Sequence, residues 1–274
     1  MRARRDLRGR LGYTEPTERE GVMRCIASVI AALGLLIAPA SAETYRLNYE
    51  AAVLGVVVLG TASYEVTANA NRYAARANLR TSGLARLFDQ TEITATSAGS
   101  LSGPNIAWTR YDISHAYASK FRRIAMNRAG GAVTSEITPR YGDMGSPPAS
   151  SAQQTGSYDP LSGVFALGRQ IGVARACRGS VLVFDGRQHY RLSVSPRAQG
   201  TFNGGGYNGP AVSCNFRYEP IAGFSANFDR GAVPLAEAWF ALPAEPGFAA
   251  PLRITVPTPL GQAQLDLRSY ERVN

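Results

Sequence analysis

The sequence predicts an all-β protein with one main α-helix, folded as a large curved antiparallel sheet, a half-barrel or partly closed barrel. Three observations carry that prediction. Short runs of alternating apolar and polar residues recur through residues 43–274, separated by turns rich in Gly, Pro and Asn. Only one stretch, opening at Asp159-Pro160, has the start signals and apolar face of a substantial helix. About twelve such strands, with no fixed repeat and no linker between them, belong together in one sheet.

The first 42 residues stand apart. Arg24 precedes an apolar run from Cys25 to Ala38, and Ala40-Ser41-Ala42 follows. That is the layout of a secretory signal peptide, residues 23–42, with cleavage expected after Ala42. The run is short for a membrane anchor, which takes about 20 apolar residues. Cys25 lies before the run rather than after it, so a lipid anchor is not expected. Residues 1–22 are polar and Arg-rich and precede Met23, and translation is expected to start at Met23 with 1–22 as a mis-assigned extension. Residues 43–274 then make a single β-rich periplasmic domain, not membrane-spanning after cleavage.

Residues 43–274 hold 22 Arg and Lys against 16 Asp and Glu, a net charge of +6, and Lys120 is their one Lys. In the cytoplasm such a balance would suggest nucleic acid. In an exported protein the nearer anions are lipid headgroups and wall polymers, so no nucleic-acid partner is expected. A high Arg content also follows from a GC-rich genome.

The elements follow in order. Tyr45 to Tyr49 alternates, and Val56 to Val66 follows a tight connection near Gly55. Arg72 to Arg80 is a strand, Gly83 to Phe88 a short helical turn, Thr91 to Thr96 a strand, and Ser97 to Pro104 a turn. Ile106 to Ile113 continues with a bend to Tyr117. Phe121–Met126 and Ala132–Ile137 form a hairpin about Gly130-Gly131. Residues 139–157 collect Pro, Gly, Ser and Gln and are expected to be an exposed loop. Asp159 is a natural N-cap and Pro160 suits the first helical position; the helix should end near Gly172.

Val181–Phe184 and His189–Val194 flank Asp185-Gly186, a signal for a type I′ hairpin turn. Gly204 to Gly206 is expected to be a flexible tip, Ala211–Tyr218 a strand, and Pro220–Phe224 a turn. Ala236–Leu242, Leu252–Val256 and Ala263–Arg268 are the last strands. Cys177 and Cys214 flank the hairpin and are the two cysteines left after cleavage. An oxidising compartment favours their disulfide over a redox or nucleophilic thiol. Closing that loop would stabilise the fold by roughly 3–4 kcal/mol.

Several of these residues together resemble domain-of-unknown-function family 3108. They are Asp159-Pro160-Leu161-Ser162, Cys177, Val183-Phe184-Asp185-Gly186-Arg187, Cys214, Tyr218 with Pro220 and Gly223-Phe224, and the early Tyr49, Gly55, Gly60 and Tyr64. The resemblance implies exported proteins of Gram-negative bacteria with no assigned activity. It also implies an outline similar to the periplasmic lipoprotein-carrier half-barrel, a curved sheet closed by helices.

Reactive constellations are scarce. His115 and His189 are the only histidines, with no His-x-His or His-Glu-x-x-His spacing, so no metal site is expected. No Gly-x-Ser-x-Gly elbow accompanies them, so no catalytic residue is assigned. Gly204–Gly206 lacks the Lys-Ser/Thr and helix of a phosphate loop, and no cofactor is expected. Arg110, Arg122 and Arg123 are candidates for a rim that meets an anionic ligand; a solvated sheet face explains them equally.

The expected function is a non-enzymatic periplasmic envelope protein holding a lipid or other amphipathic ligand in its curved sheet. The alternatives are a structural or interaction module with an envelope protein partner, an integral outer-membrane barrel, and a hydrolase with an unrecognised site. A solid core without a groove would count against the leading expectation.

Overall fold

Strand β1 (Glu43–Val53) shows how the sheet is made. Tyr45, Leu47 and Tyr49 are buried on one face, while Arg46, Asn48 and Glu50 line the other. A tight turn at Leu54-Gly55, both with positive φ, returns the chain into β2 (Val57–Ala68). A computed structural model describes residues 42–87, 90–117 and 120–273. The predicted extension and the leader up to Ser41 lie outside the described residues.

The meander continues through β3 (Arg72–Thr81), β4 (Thr91–Ser102), β5 (Asn105–Tyr117), β6 (Lys120–Ala129) and β7 (Ala132–Thr138). Two helices follow, α1 (Ser151–Thr155) and α2 (Pro160–Ala174). A second meander runs through β8 (Gly179–Phe184), β9 (His189–Gly204), β10 (Tyr207–Ala222), β11 (Ala236–Ala241), β12 (Pro251–Thr258) and β13 (Gly261–Val273). Strand β13 pairs with β1, so the two meanders fuse into one antiparallel sheet of thirteen strands, ordered β7 to β1 and then β13 to β8. Register shifts at Asn48/Tyr49, Ala51/Ala52, Ala98/Gly99 and Ser213/Cys214 bend the strands and add to the curl. The all-β half-barrel is therefore what the chain forms. With β7 and β8 unpaired to each other it is open, unlike the closed barrels that span a bilayer.

Helix α2 lies inside the curl. Tyr64 Oη donates to Leu161 O, and Phe165 packs on Tyr73 and Phe248 with ring centroids 5.3 and 5.5 Å apart. The connection between β11 and β12 enters from the other side. Ala249 N donates to Gly168 O, and Phe248, Ala249 and Ala250 are buried. A side chain at Gly168 would strike the Phe248 ring, and one at Gly172 would strike Gly247 O. Two glycines one helical turn apart thus let the helix and the connection touch. The fill is complete: Leu47, Val66, Trp108, Tyr111 and Phe165 are at most 1 % exposed.

Several local expectations change. The turn between β4 and β5 is only Gly103-Pro104, because alternation carries β4 on to Ser102. Residues 139–157 are no simple exposed loop. Ser146 N donates to Phe224 O, Gly223 N to Pro147 O and Trp108 Nε1 to Ser157 O; a capping box at Ser150 and Gln153 starts α1. Tyr158 pairs with Val183 and covers part of the β8 edge. The Asp185-Gly186 turn is not type I′, since only Gly186 has positive φ. Asp185 Oδ1 instead accepts Arg187 N and Gln188 N, an Asx turn. Gly204–Gly206 is no flexible tip: Gly205 and Gly206 form a tight turn, and Gly205 is seated against Leu267 O so closely that a Cβ has no room. Strand β10 runs on through Pro220 to Ala222, past a register shift, where a turn was expected.

Candidate functional site

The start of α2 is the most polar point of the interior. Asp159 Oδ1 accepts Leu161 N and Ser162 N, both at 3.0 Å, which caps the helix. Its Oδ2 accepts Ser97 Oγ at 2.8 Å and also the Ser162 hydroxyl. Tyr73 Oη and Ser162 Oγ share a further hydrogen bond. Asp159 and Ser162 are fully buried, and burial pushes the Asp159 carboxyl up from 3.8 to about 6 against the pull of these bonds. Both serine hydroxyls are spent on the carboxylate, and among the described residues no imidazole partners them. The node ties the helix to β3 and β4 through the Asp159 carboxylate; it does not assemble a nucleophile.

The histidines stand elsewhere. His115 Nδ1 and Tyr117 Oη are 2.7 Å apart on β5, and burial lowers the imidazole's affinity for protons, with Arg122 adding to it. His189 opens β9, buried, with neither ring nitrogen hydrogen-bonded. Cys177 and Cys214 are joined in a disulfide that ties the segment after α2 to β10. Pro160 occupies the first helical position, and Asp185 is turned into its own backbone as described above.

The three arginines do not form one rim. Arg110 Nε and Arg123 Nη2 grip Asp112 at 2.6 and 3.1 Å on the outer face, and they hold its carboxyl below the usual range. Arg122 faces the other way, 3.8 Å from the Tyr141 ring centroid, with Nε donating to Pro139 O. Adjacent strand residues point to opposite faces, so Arg122 and Arg123 cannot share a surface.

Two surface features remain. A groove of about 390 Å³ runs beside α2, walled by Pro104, Tyr158, Ala166 and Val173, with Arg169 and Arg178 on it. Arg169 Nη2 donates to Gly103 O, and its Nε is buried without a partner. The second feature is a set of exposed apolar side chains on turns: Val56 is 78 % exposed, Leu260 77 % and Leu54 61 %. No periodicity argument singles out such turn residues; the signal was their type, large and aliphatic where Asn or Gly is usual.

Among the described residues no three metal-ligating side chains cluster, and no helix is long and apolar enough to cross a membrane. The sequence pattern of the family "Protein of unknown function (DUF3108)" matches residues 44–268. No curated protein matches the chain. A solved structure from Brucella abortus, a beta-barrel-like protein of domain of unknown function DUF1849, is similar over 84 % of this chain and 98 % of its own, at 11 % identity and a TM-score of 0.49.

Proposed function

The chain belongs to the DUF3108 family of proteins of unknown function, and from that premise we propose that it is a non-enzymatic, exported component of the cell envelope that works through its surface. One observation carries the reading: the inner face of the half-barrel is packed with the protein's own side chains, while large apolar residues stand exposed on its turns. Export rests on the leader at 23–42 and agrees with a disulfide between Cys177 and Cys214. The scarcity of activated groups supports a role without turnover. Fractionation of cells with titration of the purified protein tests it. Recovery from the periplasm with the leader removed and no free thiol is expected; cytosolic recovery with both thiols free would refute it.

A second reading has its own observation. The groove beside α2 combines apolar walls with Arg169 and Arg178, a fit for one amphipathic molecule with an anionic head. Native mass spectrometry after incubation with lipid extract should then show a bound lipid that Val173→Trp displaces. Loss of the lipid on no groove substitution would end this reading.

A further inference from the structure

The β1–β2 and β12–β13 turns differ in chemistry from the turns at the opposite end of the half-barrel, although the β8–β9 turn that shares their end, Asp185 to Gln188, is polar. At one end the turns are Asn69-Ala70-Asn71, Gly103-Pro104, Gly130-Gly131 and Gly205-Gly206, small and polar as turns usually are. At the other lie the β1–β2 turn, with Leu54, Val56 and Val57, and the β12–β13 turn, with Leu260. These two turns are neighbours: Leu54 N donates to Gln262 O, and the Leu54 side chain lies over Gly261. Phe121 and Leu235 extend the same end. Among the described residues, every exposed large apolar side chain except Val173 and Val273 lies at this end.

Leu54 breaks two rules at once. It holds φ +55°, a conformation that favours Asn or Gly, and it remains 61 % exposed. A residue that is strained and also uncovered is not there for the fold, and such local violations mark functional surfaces.

Charge identifies what covers the patch. Arg86, Lys120, Arg140 and Arg230 are exposed at this end, and among the described residues none is in an ion pair. Of the carboxylates at this end, Glu92 pairs with Arg80, Asp143 with Arg187, and Asp229 caps the turn at 230–232; Glu136, on the same depression as Arg140, is in no ion pair among the described residues. Protruding aliphatic residues that share an end with cations outside any ion pair match an anionic lipid surface, whose headgroups take the cations while the acyl boundary takes the side chains.

We propose that this end of the half-barrel docks on an anionic lipid bilayer, with the Leu54–Val57 and Leu260 turns dipping into it. The proposal rests on the surface-acting, exported reading above and names its partner.

The test is sedimentation of the purified exported protein with phosphatidylcholine vesicles, with and without phosphatidylglycerol. Binding is expected only with phosphatidylglycerol and should fall with salt. Val56→Asp with Leu260→Asp should weaken it at least ~10-fold, and each of Arg86→Glu and Lys120→Glu at least about fivefold, since one cation near such a surface is worth roughly that factor. All four side chains are solvent-exposed, so the urea midpoint should not move. Arg72→Glu, at the opposite end, should leave binding unchanged. Equal loss on Arg72→Glu would reduce the effect to net charge and overturn the proposal. So would absence of vesicle binding, or a dimer that Val56→Asp dissociates. Cross-linking of this end to one envelope protein would overturn the lipid partner while leaving the surface-acting reading intact; cytosolic recovery would remove that reading instead.

Discussion

Acid should stabilise this protein through Asp159. The carboxyl is fully buried, and burial moves it from 3.8 to about 6. The folded state therefore holds its proton more tightly than the unfolded chain does. Stability from this group is fully present below about pH 4, declines as pH rises through the window between about 4 and 6, and is flat above it. A carboxyl moved that far corresponds to about 3 kcal/mol between its two protonation states. Asp159→Asn isolates the effect. The amide oxygen still accepts Leu161 N and Ser162 N, and the amide nitrogen donates to the Ser97 and Ser162 hydroxyls, which turn around. Urea unfolding of both proteins at intervals from about pH 4 to 7 gives the difference directly. The variant should gain on the native protein by about 3 kcal/mol across that range. Burial also raises Asp185, but it is common to both proteins and cancels in the difference. A difference independent of pH, or one of opposite slope, would show that the four hydrogen bonds outweigh burial and keep the carboxylate ionised.

Other outcomes follow from the packing. Phe248→Ala empties the site between Tyr45, Tyr64 and Phe165 and should cost about 3–5 kcal/mol in urea unfolding. Cys177→Ser with Cys214→Ser opens a loop of 37 residues and should cost about 3–4 kcal/mol, read the same way. Arg110→Ala removes a solvent-exposed cation and leaves Asp112 paired with Arg123, so the urea midpoint should scarcely move.

Much of the architecture is legible because its signals are local. Alternation sets the strand faces, and Asp159-Pro160 sets the helix start, within a few residues of chain. The filling of the curl is not local. It depends on residues 243–250, which carry no alternation or helix signal of their own, meeting Gly168 and Gly172 across the interior. Two small residues four apart on a helix were a readable sign of close approach, though not of what approaches. The bond from Ser97 to Asp159 joins residues 62 apart and has no local trace. The arginine rim, in contrast, fails on a rule available from the start, since neighbours in a strand alternate sides. The apolar turns lack periodicity altogether; their residue type is the one trace in the sequence, and their exposure in the folded chain sets them apart.

The seam between β1 and β13 joins residues more than two hundred positions apart in the chain, Thr44 with Val273 at its extreme. Neither meander can be sealed to the other until both partners of that seam are present. Contacts of such separation are slow to form. The first strand of the sheet therefore waits for its β13 partner until the last residues of the chain, 261–273, are present.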